Sequence, residues 1–94
     1  MYCTVRRYAG VPNPSAAARQ VKESFVPLIY QIPGFVAYYW VDAGGGVMVS
    51  TSVFQNKAGA DESNRKATEW IRDDRASLLP NPAQVTAGEV VAHK

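Results

Sequence analysis

The chain has 94 residues, 47% of them hydrophobic, with ten basic and eight acidic side chains, one cysteine and one histidine. Its net charge of +2 is dispersed along the sequence, which excludes electrostatic capture of nucleic acid or of an anionic membrane as an organising purpose. The length fits one domain over residues 1–94, a lone Cys3 cannot form an internal bridge, and no run approaches the ~18 apolar residues of a spanning helix.

The N-terminus enters a strand-like segment directly and lacks the charged-then-apolar layout of a signal peptide, so a cytoplasmic protein is expected. Tyr2 to Tyr8 alternates: Cys3, Val5 and Arg7 share one face, and Tyr2, Thr4, Arg6 and Tyr8 the other. Two adjacent arginines prevent a dry strand throughout. One of them ends in water or beside an acid, or is aimed into a pocket to hold an anionic ligand, with Arg7 as the candidate. Gly10-Val-Pro-Asn-Pro14 then starts a helix, Asn13 serving as N-cap and Pro14 taking the first helical position. Ala17, Val21, Phe25, Leu28, Ile29 and Ile32 follow one helix face. Pro27 interrupts that pattern and predicts a kink or break near residues 23–27. Pro33-Gly34 stops the helix.

Phe35 to Trp40 holds four of the ten aromatic residues of the chain. With Val41 it reads as a strand apolar on both parities, Phe35, Ala37, Tyr39 and Val41 against Val36, Tyr38 and Trp40, and so covered on both faces. Ala43-Gly-Gly-Gly46 reverses the chain into a second strand, Val47 to Phe54. Its valine face reads as fully buried, and its Ser50 and Ser52 face is compatible with a cavity. Asn56 is placed to cap a second helix whose inward stripe is Ala60, Ser63, Ala67, Trp70, Ile71 and later Leu78. Glu62 and Lys66 stand at a favourable i, i+4 spacing. Arg72-Asp-Asp-Arg75 reads as the solvated back of that helix, which Leu79-Pro-Asn-Pro82 ends. Ala83 to Ala92 is the last strand, and Gly88 in it predicts a bulge or the close approach of another element.

The order βαββαβ predicts an α+β, ferredoxin-like fold: a four-stranded antiparallel sheet with both helices on one face. No helix remains for the other face. Since both parities of the aromatic strand are apolar, a second subunit is the expected cover, two sheets packing face to face into a dimeric α/β barrel.

Pro33-Gly34-Phe35 followed by Tyr38 and Tyr39, then Ser52-Val-Phe54, Ala58 to Ala60 with Ser63, Ala67 and Trp70, and finally Gly88-Glu-Val90, resemble the antibiotic-biosynthesis-monooxygenase-like (ABM) set of small dimeric α/β-barrel proteins. The resemblance covers nearly the whole chain through short motifs that report fold more than chemistry. It implies a homodimer with a pocket in each subunit, between helices and sheet. Its branches include cofactor-free monooxygenases of polycyclic phenols and quinols, haem-degrading enzymes and many proteins of unassigned activity. Haem-degrading members pair a first-strand asparagine with a second-helix tryptophan and a following histidine. Trp70 matches the tryptophan, but the first strand has no asparagine and the only histidine is His93.

Cofactor-free oxygenation asks less of the protein: donors that stabilise a phenolate, and exclusion of water. Asn64 and Trp70 are the candidate catalytic residues; Tyr38, Tyr39, Trp40 and Arg7 are candidates for substrate binding. Each has a plainer reading beside it, Trp70 as core packing, Asn64 as the edge of the helix stripe, and Tyr38, Tyr39 and Trp40 as a dimer interface. One cysteine and one histidine build no zinc or copper site, and no nucleophile–histidine machinery is supported. Gly44-Gly-Gly46 lacks the residues of a phosphate loop. The third strand lacks the basic-glycine-aromatic signature of RNA-binding domains with this topology. Two functions stay open: a monooxygenase without cofactor or metal that takes a small aromatic ligand, and a non-catalytic dimeric binding or structural module. A ligand-sized cavity containing Asn64, Trp70 or an arginine would favour the first.

Overall fold

The computed structural model describes residues 1–73 and 75–94. Strand β1 (Tyr2–Tyr8) leads into a helical arm of three parts: α1 (Pro14–Gln20), a π-helical segment (Val21–Phe25) and α2 (Val26–Tyr30). Strands β2 (Phe35–Gly44) and β3 (Val47–Phe54) follow, then α3 (Lys57–Arg72) and β4 (Gln84–Glu89). The sheet runs β2-β3-β1-β4, every pair antiparallel, and helical arm and α3 pack on one face of it. This is the ferredoxin-like arrangement expected from the element order. No helix among the described residues is long and apolar enough to cross a membrane.

Local chemistry sets the helix starts as expected. The Asn13 side chain accepts from the Ala16 N–H at 3.1 Å, and Asn56 accepts from the Gly59 N–H at 3.0 Å. The break expected near Pro27 takes a specific form. Pro27 has no N–H, and its ring would meet the carbonyl of Glu23 in a regular α-helix. The preceding turn is therefore widened, with the Val26 N–H bonded to the Val21 carbonyl five residues back. The widening also serves the core. Apolar residues spaced by four drift about 40° per step around a helix of about 3.6 residues per turn, and a wider turn removes part of that drift. Ala17, Val21, Phe25 and Ile29 thus stay on one buried stripe, together with Ile32. Leu28, read as part of that stripe, is 40% exposed instead.

The strands correct the sequence reading in three places. First, β2 carries a bulge between Phe35 and Ala37, so Phe35 pairs with Phe54 while Ala37 pairs with Val53. The extra residue, Val36, moves Phe35 onto the helix side with Tyr38 and Trp40, and strict alternation fails at the start of the strand. Second, the buried face of β3 is Met48, Ser50, Ser52 and Phe54, whereas Val47, Val49, Thr51 and Val53 are only half-buried in the single chain. The helices cover the serine face because Met48 and Phe54 flank it. Third, Gly88 pairs in regular register with Cys3, and nothing lies within 4 Å of where a Cβ would stand.

At the glycine turn, the two central residues Gly45 and Gly46 have positive φ (60° and 79°), as a tight primed hairpin requires, and Gly44, paired with Val47, is positive as well (84°). The Gly46 carbonyl accepts from the Val11 N–H at 2.9 Å and ties the hairpin to the loop before α1. Helix α3 ends at Arg72, earlier than the Leu79-Pro-Asn-Pro82 stop, with Asp73 as C-cap still donating its N–H to the Glu69 carbonyl. Leu79 nevertheless returns to the core. On the outer side of α3, Glu62 pairs with Arg65 rather than with Lys66, and Arg65 also reaches Glu69 at 2.6 Å. Asp74, read as part of the solvated back of α3, lies outside the described residues. Arg75, read the same way, is corrected: it sits beyond the helix, its guanidinium 4.7 Å from the Trp70 ring centre.

Candidate functional site

The faces of the strands decide what lies between sheet and helices. The residues of β1 that alternate inward are Thr4, Arg6 and Tyr8; β2 contributes Tyr38 and Trp40, and β3 Ser50 and Ser52. Phe25 of the π segment and Ser63, Asn64 and Trp70 of α3 face them. These side chains, Thr4 excepted, line a cavity with a free volume of about 20 Å³. That free space holds about one water molecule. A ligand with an aromatic ring therefore enters only if wall side chains move.

The walls are aromatic and linked. Tyr8 and Trp40 have ring centres 5.4 Å apart, Phe25 and Tyr38 5.7 Å, and Phe25 and Trp70 5.3 Å. Trp70, 6% exposed, donates its indole Nε1–H to Ser24 Oγ at 2.9 Å. Arg75 Nη2 donates to the same oxygen at 3.0 Å while the guanidinium lies over the indole. Ser24 stands in the π segment, so the widening at Pro27 also places the acceptor that holds Trp70. Asn64 Nδ2 makes a long contact of 3.5 Å to the buried Thr4 hydroxyl, while Ser63 Oγ donates to the Ala60 carbonyl. At the sheet wall, Arg6 Nε donates to Tyr8 Oη at 2.9 Å. Trp40 Nε1 is buried with no partner among the described residues. Burial pushes the Tyr38 phenol well above its ordinary pKa of 10.0, and the Ser50 side chain pulls it only part of the way back. Tyr38 is thus a neutral hydroxyl at any physiological pH.

Of the residues singled out from the sequence, the fold brings Asn64, Trp70, Tyr38 and Trp40 to one cavity. Arg7 and Tyr39 lie elsewhere. Arg7 pairs with Val49 and Tyr39 with Thr51, which puts both on the sheet face away from the helices, Tyr39 62% exposed. Residue Arg6, one position earlier, points to the cavity instead. Ser50 and Ser52 line the cavity, as the sequence reading of their face allows, whereas Ser24, Tyr8 and Arg75 are not singled out by it as site residues. Ser50 and Tyr8 belong to strand parities visible in the sequence, but Ser24 and Arg75 meet Trp70 from 46 and 51 residues away and carry no local signal. No group of three or more His, Cys, Asp or Glu placed to hold a metal occurs among the described residues.

No family model matches the chain, and no curated protein matches it. Solved structures do. A protein of unknown function from Nitrosomonas europaea, NE2512, superposes with a TM-score of 0.79 at 22% identity, covering 99% of this chain and 91% of its own. The ActVA-Orf6 monooxygenase of Streptomyces coelicolor, solved with Nanaomycin D, gives 0.71 at 14% identity over 98% and 92%. This chain has the ABM-like fold. An antibiotic biosynthesis monooxygenase gives 0.67 at 16% identity over 98% of this chain and the whole of its own. At these identities the likeness is one of fold. Within the ABM-like fold, the cavity of this chain lies in the layer between helices and sheet.

Proposed function

We infer that the chain is a small ABM-like protein that works as a cofactor-independent monooxygenase on an aromatic quinol or polyphenol, bound between helices and sheet. The observation that carries this reading is the shared cavity: Asn64, Trp70, Tyr38, Trp40 and an arginine, Arg6, line one aromatic-walled space. In such chemistry the ionised substrate supplies the electrons. Oxygen attacks the electron-rich ring carbon, a CH2 of an anthrone becomes C=O, and the second oxygen atom leaves as water. The protein's part is to hold the phenolate with fixed donors and to keep bulk water out. Asn64 and the hydroxyl of Tyr38 are placed for the first task. Phe25, Trp40 and Trp70 are placed for the second. Since Trp70 Nε1 is already bonded to Ser24, Trp70 acts through the shape of the wall unless that bond exchanges for one to the ligand. The working unit is a homodimer formed through the helix-free face of the sheet.

The small free volume favours a second reading, a non-catalytic dimeric binding or structural module. Oxygen uptake with a panel of quinols and anthrones separates the two. The first reading expects uptake by the parent protein that falls at least about tenfold in Asn64→Ala and in Trp70→Phe. No uptake with any member of the panel, or uptake indifferent to both substitutions, removes it.

A further inference from the structure

Arg6 is half-buried beneath the helices. Among the described residues no carboxylate pairs with it, and the only hydrogen bond its guanidinium makes there is from Nε to Tyr8 Oη at 2.9 Å. Its guanidinium lies 5.8 Å from the Tyr8 ring centre, its remaining donors are not among the buried unpartnered ones and so stay open to solvent, and a planar guanidinium is shaped to hold an oxyanion with two donors. Its position gives that preference a use. Arg6, Tyr8, Ile71 and Leu79 line the inner cavity and also an open groove of about 440 Å³ under residues 76–83. The groove is roomy where the cavity is tight, so these four side chains form the partition between them. No Asp or Glu lines either space. On the inner side of the partition stands the second unpaired donor, Trp40 Nε1, whose ring packs on Tyr8 at 5.4 Å. A buried indole N–H left without an acceptor forfeits a hydrogen bond that a ligand oxygen would restore.

We propose that Arg6 and Trp40 form an oxyanion-recognition site at the junction of groove and cavity, and that the ligand is an acidic aromatic compound with its carboxylate on Arg6. The ring occupies the groove side of the partition and displaces Leu79 or Ile71 to reach the cavity. The proposal rests on the aromatic-ligand reading of the same site and narrows it from phenols in general to those that are anionic when bound.

The test is binding, read by quenching of tryptophan fluorescence and by calorimetry, so that it does not depend on turnover. The probes are 1-hydroxy-2-naphthoate, its uncharged methyl ester, and 2-naphthol. The acid is expected to bind the parent about tenfold or more tightly than the ester, as a charge-assisted hydrogen bond implies. Arg6→Gln should abolish that preference by weakening the acid more than the ester, and Arg6→Lys should restore part of it. Trp40→Phe should weaken the acid severalfold. Thermal melts of each variant establish that it folds. Equal affinity of acid and ester, an acid preference that survives Arg6→Gln in a folded protein, or no binding of any probe overturns the proposal. Arg6-dependent binding without oxygen uptake leaves the anion site standing and removes the monooxygenase reading. Oxygen uptake with neutral quinols in a protein that shows no Arg6-dependent preference for the acid removes the anion site and leaves the monooxygenase reading.

Discussion

At the scale of single residues, the site depends on neighbours that are distant in sequence. Trp70 would be placed by its helix alone, but its indole is fixed by Ser24 and covered by Arg75. Ser24→Ala should therefore leave a buried N–H without a partner and destabilise the fold by about 1–2 kcal/mol in urea denaturation. Gly59 sets two effects against each other. Alanine in a helix usually gains about 1 kcal/mol over glycine, but a Cβ here would stand 2.8 Å from Phe54 Cδ1 and 3.1 Å from the Pro33 carbonyl. Overpacking of that kind costs about 1–3 kcal/mol, so Gly59→Ala should lower the urea midpoint. A raised midpoint would show that Phe54 yields. Tyr38 carries the pH dependence. Its phenol is held above the ordinary value of 10.0 by burial, whereas in the unfolded chain it ionises near that value. Its contribution to stability is therefore complete below pH ~10 and declines above it, by up to about 1.4 kcal/mol per pH unit. In a phenolate-absorbance titration, the Tyr38 phenol should stay neutral until the chain unfolds.

At the scale of elements, the turn and the bulge govern which side chains meet. Gly45 and Gly46 both have positive φ, but their surroundings differ: Gly45 has open space, while a Cβ on Gly46 would lie 3.4 Å from the Val11 carbonyl. Gly45→Asn completes the Asn-Gly pair that primed turns favour and should leave the melting temperature unchanged or slightly higher. Gly46→Ala should cost about 1–2 kcal/mol. A larger loss in Gly45→Asn than in Gly46→Ala would contradict this assignment. The bulge at Val36 is the more consequential device. Without it, a strict period of two would set Phe35 on the face opposite Tyr38 and Trp40, away from the Phe54 ring it now packs on at 5.8 Å. Period-two reading finds the strand but not the slip, because an extra residue in one strand is recorded only in its pairing with the other. The π segment is similar. Pro27 announces an interruption, but the rotation that keeps Val21, Phe25 and Ile29 in line, and turns Ser24 to Trp70, appears only when the helix is packed.

At the scale of the molecule, the helix-free face of the sheet presents Val5, Val36, Tyr39 and Val41 to solvent in the single chain. Arg7 lies on the same face. A contiguous apolar sheet face of this kind is a natural association surface. Light scattering at micromolar concentration should give about twice the chain mass of 10.2 kDa, and Val41→Glu should shift it toward the monomer. A parent protein at the single-chain mass would remove the dimer, and with it the reason offered for two apolar parities on β2.

Much of this was legible in the residues themselves. Element order, both N-caps, the hairpin glycines, the placement of the helices on one face and the position of Asn64 and Trp70 on or beside the inward stripe of α3 follow from periodicity and turn chemistry, which are properties of neighbouring residues. What the tertiary structure alone decided is register and closure. It chose Arg6 over Arg7 by fixing which parity of β1 faces the helices, and it turned Tyr39 outward. It brought Ser24 and Arg75 to the same indole and reduced the free space in the aromatic-walled cavity to that of about one water. Local preferences act over a few residues, whereas a cavity is bounded by side chains from strands and helices far apart in the chain. Its size and polarity are set only when those elements pack.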